Sequence, residues 1–231
     1  MKVFEIIAKV YLLKDILFED VQTKIFKFMD TVLARTDETL KFHNSNEYKN
    51  YCFNSFYPLE KDGVYKEDSI YTITIRTVNK DLALYFKNKL PNVYTNEIKG
   101  LKTEMKIISN RKIEKIYAMT PLIIKNDDGY WKNLISKDEF ERRIRENLIK
   151  KHNDLKNEKM CEEFKLYSSI SFDNNKPIPR KYKGKILLGD KITLEIADDE
   201  VSQEIAYMAL GTGIGEMNAR GFGFLGYRWK R

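Results

Sequence analysis

Apolar and polar residues alternate from Phe4 through Ile6, Ala8 and Val10 to Leu12, the period of a half-buried strand. The spacing then lengthens. Val21, Ile25, Phe28, Met29, Val32 and Leu33 recur every three or four residues and predict an amphipathic helix. A polar stretch runs from Arg35 to Asn50. Tyr51 to Tyr57 has strand composition, Pro58 to Asp68 is turn-rich, and Gly63 marks a hairpin tip. Ser69 to Val78 alternates again, with Tyr71, Ile73 and Ile75 on one face and Thr72, Thr74 and Arg76 on the other. Asp81 to Leu90 reads as a short helix stopped by Pro91, and Leu101 to Ile108 supplies a fourth strand. Strand–helix–strand–strand–helix–strand is the ferredoxin-like order.

The order then repeats, without an evident sequence repeat. Ile113 to Ile124 is strand-like. Ser136 with Glu139 three residues on is a capping-box signature, and Phe140, Ile144, Leu148 and Ile149 give the following helix its apolar face. Phe164 to Phe172 is a strand, and Ile186 to Ile196 reads as a hairpin turning at Gly189-Asp190. A helix over Glu200 to Leu210, capped by Asp198 or Asp199, places Val201, Ile205, Met208 and Ala209 on one face. Phe222, Phe224, Leu225, Tyr227 and Trp229 read as a terminal strand. The expected fold is α+β, two tandem ferredoxin-like (RRM-like) domains over residues 1–112 and 113–231.

The 231 residues carry a net charge of +7, which favours an acidic partner. Apolar runs are far too short to cross a membrane, and the first residues read as a strand rather than a signal peptide. Cys52 and Cys161 fit no zinc spacing, and no carboxylate cluster resembles a metal-nuclease site. Neither metal nor cofactor is therefore expected, and a reducing cytoplasm is the simplest compartment.

Six of the eleven glycines fall between Gly211 and Gly226. Here a glycine loop follows a helix and precedes a strand, the reverse of nucleotide-binding loops, which run from strand to helix. Gly211 suits the left-handed position just past a helix end. Glycines also let backbone N–H groups approach an anion closely, so a polyanion partner fits. Gly213-Ile-Gly215, five residues, then Gly221-Phe-Gly223 resembles the C-terminal signature of the CRISPR-associated repeat endoribonucleases, the Cas-six family. Met119-Thr-Pro-Leu-Ile-Ile124 and Arg142 to Lys151 are similar to that family's middle region. The resemblance independently implies tandem ferredoxin-like domains. It also implies metal-independent cleavage of CRISPR precursor RNA within each repeat, by attack of the ribose 2′-hydroxyl on the adjacent phosphate. The partner it implies is CRISPR repeat RNA, with a multi-subunit CRISPR interference complex and a homodimer as further assemblies open to it.

His43 lies in the polar stretch, with Lys49 six residues later. Histidine moves protons near neutrality, and a nearby lysine relieves charge on a phosphorane. By residue type alone a loop histidine is more often a solvated side chain. The resemblance implies that His43 and Lys49 are catalytic. It also implies a tyrosine in the preceding helix, where this chain has Phe28; Tyr48 and Tyr51 are the nearby alternatives. His152, near the end of a predicted helix, reads as structural or as a peripheral RNA contact. The expected RNA-binding set is Gly213, Gly215, Arg220, Gly221 and Gly223 from the loop, with Arg180, Lys181 and Lys183 from a basic run that includes Tyr182 and Lys185. A non-catalytic repeat-binding module of the same fold would keep the loop and the basic runs while making no use of His43. A generic RNA-recognition-motif protein is disfavoured because the usual aromatic signature strand is missing.

Overall fold

Two four-stranded antiparallel sheets, built in the same strand order, carry the chain. A computed structural model describes residues 1–35, 39, 41, 48–126, 129–182 and 184–231. The first unit comprises β1 (Val3–Leu12), β2 (Ile16–Leu17), α1 (Val21–Leu33), β3 (Tyr51–Phe53), β4 (Val64–Tyr65), β5 (Ile70–Thr77), α2 (Lys80–Lys89) and β6 (Ile98–Ile108). The second comprises β7 (Ile113–Ala118), α3 (Lys137–Lys156), β8 (Tyr167–Phe172), β9 (Ile178–Tyr182), β10 (Lys185–Gly189), β11 (Ile192–Ile196), α4 (Glu200–Thr212) and β12 (Leu225–Trp229). The sheets read β6-β1-β5-β3 and β12-β7-β11-β8. In each, the fourth main strand of the unit pairs with the first, the first with the third and the third with the second. The fold is two tandem ferredoxin-like domains.

The periodicities of α1 and α3 act as the pattern predicts, whereas Val201, expected on the apolar face of α4, is exposed. Val21, Ile25, Phe28, Met29, Val32 and Leu33 are all buried, as are Phe140, Ile144, Leu148 and Ile149. Ser136 caps α3 by accepting from Glu139 N at 3.1 Å, while the Glu139 carboxylate turns to Arg142 instead of closing the box. Asp199 rather than Asp198 caps α4, accepting from Ser202 N at 2.9 Å. Asp198 pairs instead with Lys112 and Lys230. No helix among the described residues is long and apolar enough to cross a membrane.

Two expectations change. The hairpin at Gly189-Asp190 does not form: β10 pairs with β9, and β11 pairs with β7 and β8. Asp190 marks the crossing between sheets. Its fully buried carboxylate accepts from Trp131 Nε1 at 2.6 Å, Tyr130 Oη at 2.7 and 2.8 Å, and Asn174 Nδ2 at 2.9 Å. Gly211 is not past the helix end. The helix continues through Thr212 and ends at Gly213, whose φ is +77°. Gly211 is a point of close approach: a Cβ there would lie 2.8 Å from Val78 Cγ1 and 3.2 Å from Val3 Cγ1.

That approach presses α4 of the second unit onto the sheet of the first. Arg76 reinforces the seam, donating to Glu5 Oε2 at 2.7 Å and to the Leu225 carbonyl at 2.5 Å, with its guanidinium 4.5 Å from the Phe224 ring centroid. Burial pushes the Glu5 carboxyl upward, but the charges and hydrogen bonds of Arg76 and Lys106 outweigh it and hold the pKa below the usual glutamate value. Overpacking at such a contact costs about 1–3 kcal/mol. Gly211→Val is therefore expected to lower the denaturation midpoint by a corresponding amount, and an unchanged midpoint would remove Gly211 from the seam.

Candidate nucleic-acid interface

A cleft of about 960 Å³ opens between the two units. One wall is the segment leading into β3, with Tyr48 and Lys49. The others are α3, with Arg143, Lys150 and Lys151; the β9–β10 hairpin, with Tyr182 and Lys185; and the glycine loop from Gly215 to Arg220. With Lys125, seven basic side chains line it against two carboxylates, Glu146 and Glu216. Such an excess in a concave surface concentrates a polyanion. Tyr48 and Tyr182 add aromatic surface of the kind that stacks on unpaired bases.

The loop is built around Asn218. Its Nδ2 donates to the carbonyls of Ile214 and Phe222 at 2.9 and 3.0 Å, and its Oδ1 accepts from Lys151 Nζ at 2.7 Å. Lys151 also donates to the carbonyls of Gly213 and Gly215, both at 3.0 Å. The glycines make room for this. A Cβ on Gly213 would lie 2.6 Å from Asn218 Nδ2, and one on Gly223 would lie 1.9 Å from the Ile214 carbonyl oxygen. Burial pulls the Lys151 pKa from 10.5 down to about 7, opposed by Cys52 and Glu216. The unfolded chain therefore binds more protons than the folded one between those values, so this residue's contribution to stability rises with pH across that window.

The expected site residues separate into groups. His43 and Lys183 lie outside the described residues. Lys49 is half-buried in the cleft wall, and Gly215 and Arg220 also face the cleft. Arg220 is oriented by α1: its guanidinium sits 3.7 Å from the Phe26 ring centroid and 3.4 Å from Asp30. Gly213, Gly221 and Gly223 are buried, and their N–H groups donate internally to the carbonyls of Ala209, Asn218 and Pro121. Those three donors are committed within the protein, so these glycines shape the loop rather than offer it to a phosphate.

Arg180 is only 8% exposed and stacks 4.4 Å from the Phe18 ring centroid, while Lys181 pairs with Glu19. Both fasten the hairpin to the start of α1, and the residues of that run facing the cleft are Tyr182 and Lys185. Phe28 is fully buried in the first core, so that position is closed to a ligand. Tyr51 is buried too, its hydroxyl donating to the Ala219 carbonyl at 3.4 Å; burial, then Asp30, push its pKa up against Arg220. Tyr48 is the neighbouring tyrosine that is only partly buried, and burial, Asp154 and Glu216 raise its pKa. His152 is 5% exposed and lies 3.6 Å from Glu204, a position between α3 and α4.

The sequence reading missed Lys151 and Asn218. A signal for the first exists: Ile144, Leu148 and Lys151 follow a spacing of four and three, which puts the lysine on the apolar face of α3.

A family model described as CRISPR associated protein Cas6, C-terminal, matches residues 102–227. No curated protein matches the sequence. Among solved structures, one described as CRISPR associated protein Cas6 shares 17% identity over 98% of this chain and 99% of its own, with a TM-score of 0.73. A RAMP protein described as binding different RNA substrates shares 17% over 97% and 99%, with a TM-score of 0.69. The product of a Cas6-related gene from Pyrococcus furiosus shares 16% over 99% and 100%, with a TM-score of 0.66. At these identities the structures establish a common fold, and the family model establishes membership. The chain belongs to the Cas6 family of CRISPR-associated proteins, whose members are in general endoribonucleases that process CRISPR repeat RNA.

Proposed function

We propose that this chain is a metal-independent endoribonuclease that cuts CRISPR precursor RNA within its repeats, leaving a 2′,3′-cyclic phosphate and a 5′-hydroxyl. The observation that carries this reading is the cleft, where Lys49 of the first unit shares a concave surface with six basic side chains of the second, beside the glycine loop. RNA brings its own nucleophile, the 2′-hydroxyl. The protein's task is then to align it with the phosphorus, move protons and relieve charge on the phosphorane. His43 is the proton-transfer group and Lys49 the charge-relieving one. Tyr48 is the tyrosine placed to help. Its phenol, raised further by burial, Asp154 and Glu216, stays a hydroxyl near neutrality and in this reading would donate a hydrogen bond. In this reading residues 1–112 carry the catalytic histidine and residues 113–231 the RNA-holding loop.

His43→Ala is expected to lower cleavage of repeat RNA by at least about a hundredfold, the usual worth of a general acid or base, while leaving binding largely intact. Lys49→Ala should reduce the rate by about 10²–10³ through lost charge relief. Normal turnover by His43→Ala would overturn the assignment. Repeat binding by the unaltered protein with no cleavage at all would favour the non-catalytic module.

The mechanism has its own test. Cleavage should persist in EDTA, and a single 2′-deoxy substitution just upstream of the scissile phosphate should stop the cut without releasing the RNA. Chelator-sensitive cutting of that deoxy substrate would mean a metal-activated water. Tyr182→Ala should weaken repeat binding by about 1–3 kcal/mol, the usual worth of one aromatic stacked on a base, as read by filter binding.

A further inference from the structure

Lys151 reaches the floor of the cleft from α3 and ends among three neutral oxygens, the Gly213 and Gly215 carbonyls and Asn218 Oδ1, at 3.0, 3.0 and 2.7 Å. An ammonium has three N–H donors for three acceptors; a neutral amine has two and strands one oxygen. The proton on Lys151 thus helps hold the loop against α3. Resting on the functional reading above, we propose that Lys151 is a positioning residue whose protonated side chain clamps the glycine loop in its RNA-facing form, so that RNA and a proton bind the protein together.

Lys151, Gly215, Asn218 and Arg220 all line the cleft. A phosphate backbone lying there brings negative charge beside the buried ammonium and favours its protonated form. The free protein is poised for the exchange, because burial has already drawn the Lys151 pKa to about 7. Charged and titratable groups surround it on every side. Glu146, Lys150 and His152 share its helix, and Glu204 lies beyond on α4. Cys52 of β3 and Glu216 of the loop act on it electrostatically, and Tyr48, Lys49 and Arg220 line the same cleft. Burial pushes the Cys52 thiol up to about 12, and Tyr48 is raised as well, so neither changes charge near neutrality. Histidine is the residue type that ordinarily titrates in that window, so His43 and His152 are removed in the test.

The probe is a single-repeat RNA transcribed from the host's own CRISPR array, titrated calorimetrically into a His43→Ala/His152→Gln protein in buffers of differing ionisation enthalpy. Uptake of about 0.5–0.9 proton per RNA is expected at pH 8, drawn from the buffer, with affinity falling about tenfold from pH 6.5 to 8.5 because the bound state holds the extra proton. Lys151→Met should flatten that profile. Lys150→Met, which removes a cleft cation that is not buried, should weaken binding at every pH and keep the slope. Where Lys151→Met does not fold, the proton count on the protein that retains Lys151 decides. Binding without proton uptake, or an unaltered slope in folded Lys151→Met, overturns the proposal while leaving the functional reading in place. Failure of the wild-type chain to bind the RNA at any pH overturns both.

Discussion

A lysine sealed among neutral oxygens sets the shape of the glycine loop. Removing an ammonium from water costs several kcal/mol even after relaxation. Here the cost is offset by three charge-assisted hydrogen bonds and by the carbonyl end of α4, where the helix dipole favours a cation. The offset is partial, and burial still draws the Lys151 pKa from 10.5 down to about 7. The loop's glycines follow from the same node. Gly213 and Gly223 close the chain around Asn218, and no side chain fits at either position without displacing that amide or a carbonyl. The glycine signature is thus a packing requirement first, and its bearing on RNA is indirect.

The node matters for function because α4, an element of the second unit, also packs on the first. Its residues from Ile205 to Thr212 are buried, Gly211 lies against Val3 and Val78, and the Tyr207 hydroxyl donates to the Ile108 carbonyl at 2.6 Å. Cys52 of β3 lies 3.6 Å from the Gly211 carbonyl. A loop hung from the end of such a helix is fixed relative to both sheets. The cleft walls, one leading into β3 and the other on the β9–β10 hairpin, keep their spacing for the same reason. Arg76, held by Glu5, ties down the far end of the segment by donating to the Leu225 carbonyl, where the loop becomes β12.

Local order was legible in the sequence to the extent that it is periodic. Alternation marked β1 and β5, three-and-four spacing marked α1 and α3, and the order of those elements was enough for the tandem fold. Pairing was not legible, because it is decided between distant residues. The segment from Ile186 to Ile196 has hairpin composition, yet a carboxylate buried beneath Tyr130 and Trp131 splits it between two sheets. Charge runs misled in the same way. Arg180 and Lys181 stand beside Tyr182 in the chain, but a run of cations does not say which stems pack on Phe18 or pair with Glu19. Composition does not separate Lys150 from Lys151, and only the helical register sets the second apart. His43 and Lys49 came from the family resemblance, with Lys49 the member of the pair that the described structure brings to the cleft.

Basic side chains in a cleft do not distinguish RNA from DNA. Phosphates carry neither base nor sugar identity, and attraction to them falls with salt for either polymer. In the proposed reading the discrimination lies in the chemistry, because a reaction that uses the substrate's own 2′-hydroxyl has no nucleophile on DNA. The site then needs no device to reject the wrong sugar, and its side chains are free to hold the phosphate and bases in line. That division of labour suits the cleft as built. Six of the basic side chains come from the second unit and Lys49 from the first, and the aromatic rings of Tyr48 and Tyr182 lie on separate walls. Two carboxylates, Glu146 and Glu216, keep part of the surface from gripping every phosphate alike. Arg143 and Lys150 already lean toward them, at 3.6 Å from Glu216 and 4.0 Å from Glu146. A strand crossing the cleft competes with these pairs on the α3 wall, while Lys49 and Lys185 line the cleft from other walls. This favours one path for the backbone over uniform adhesion.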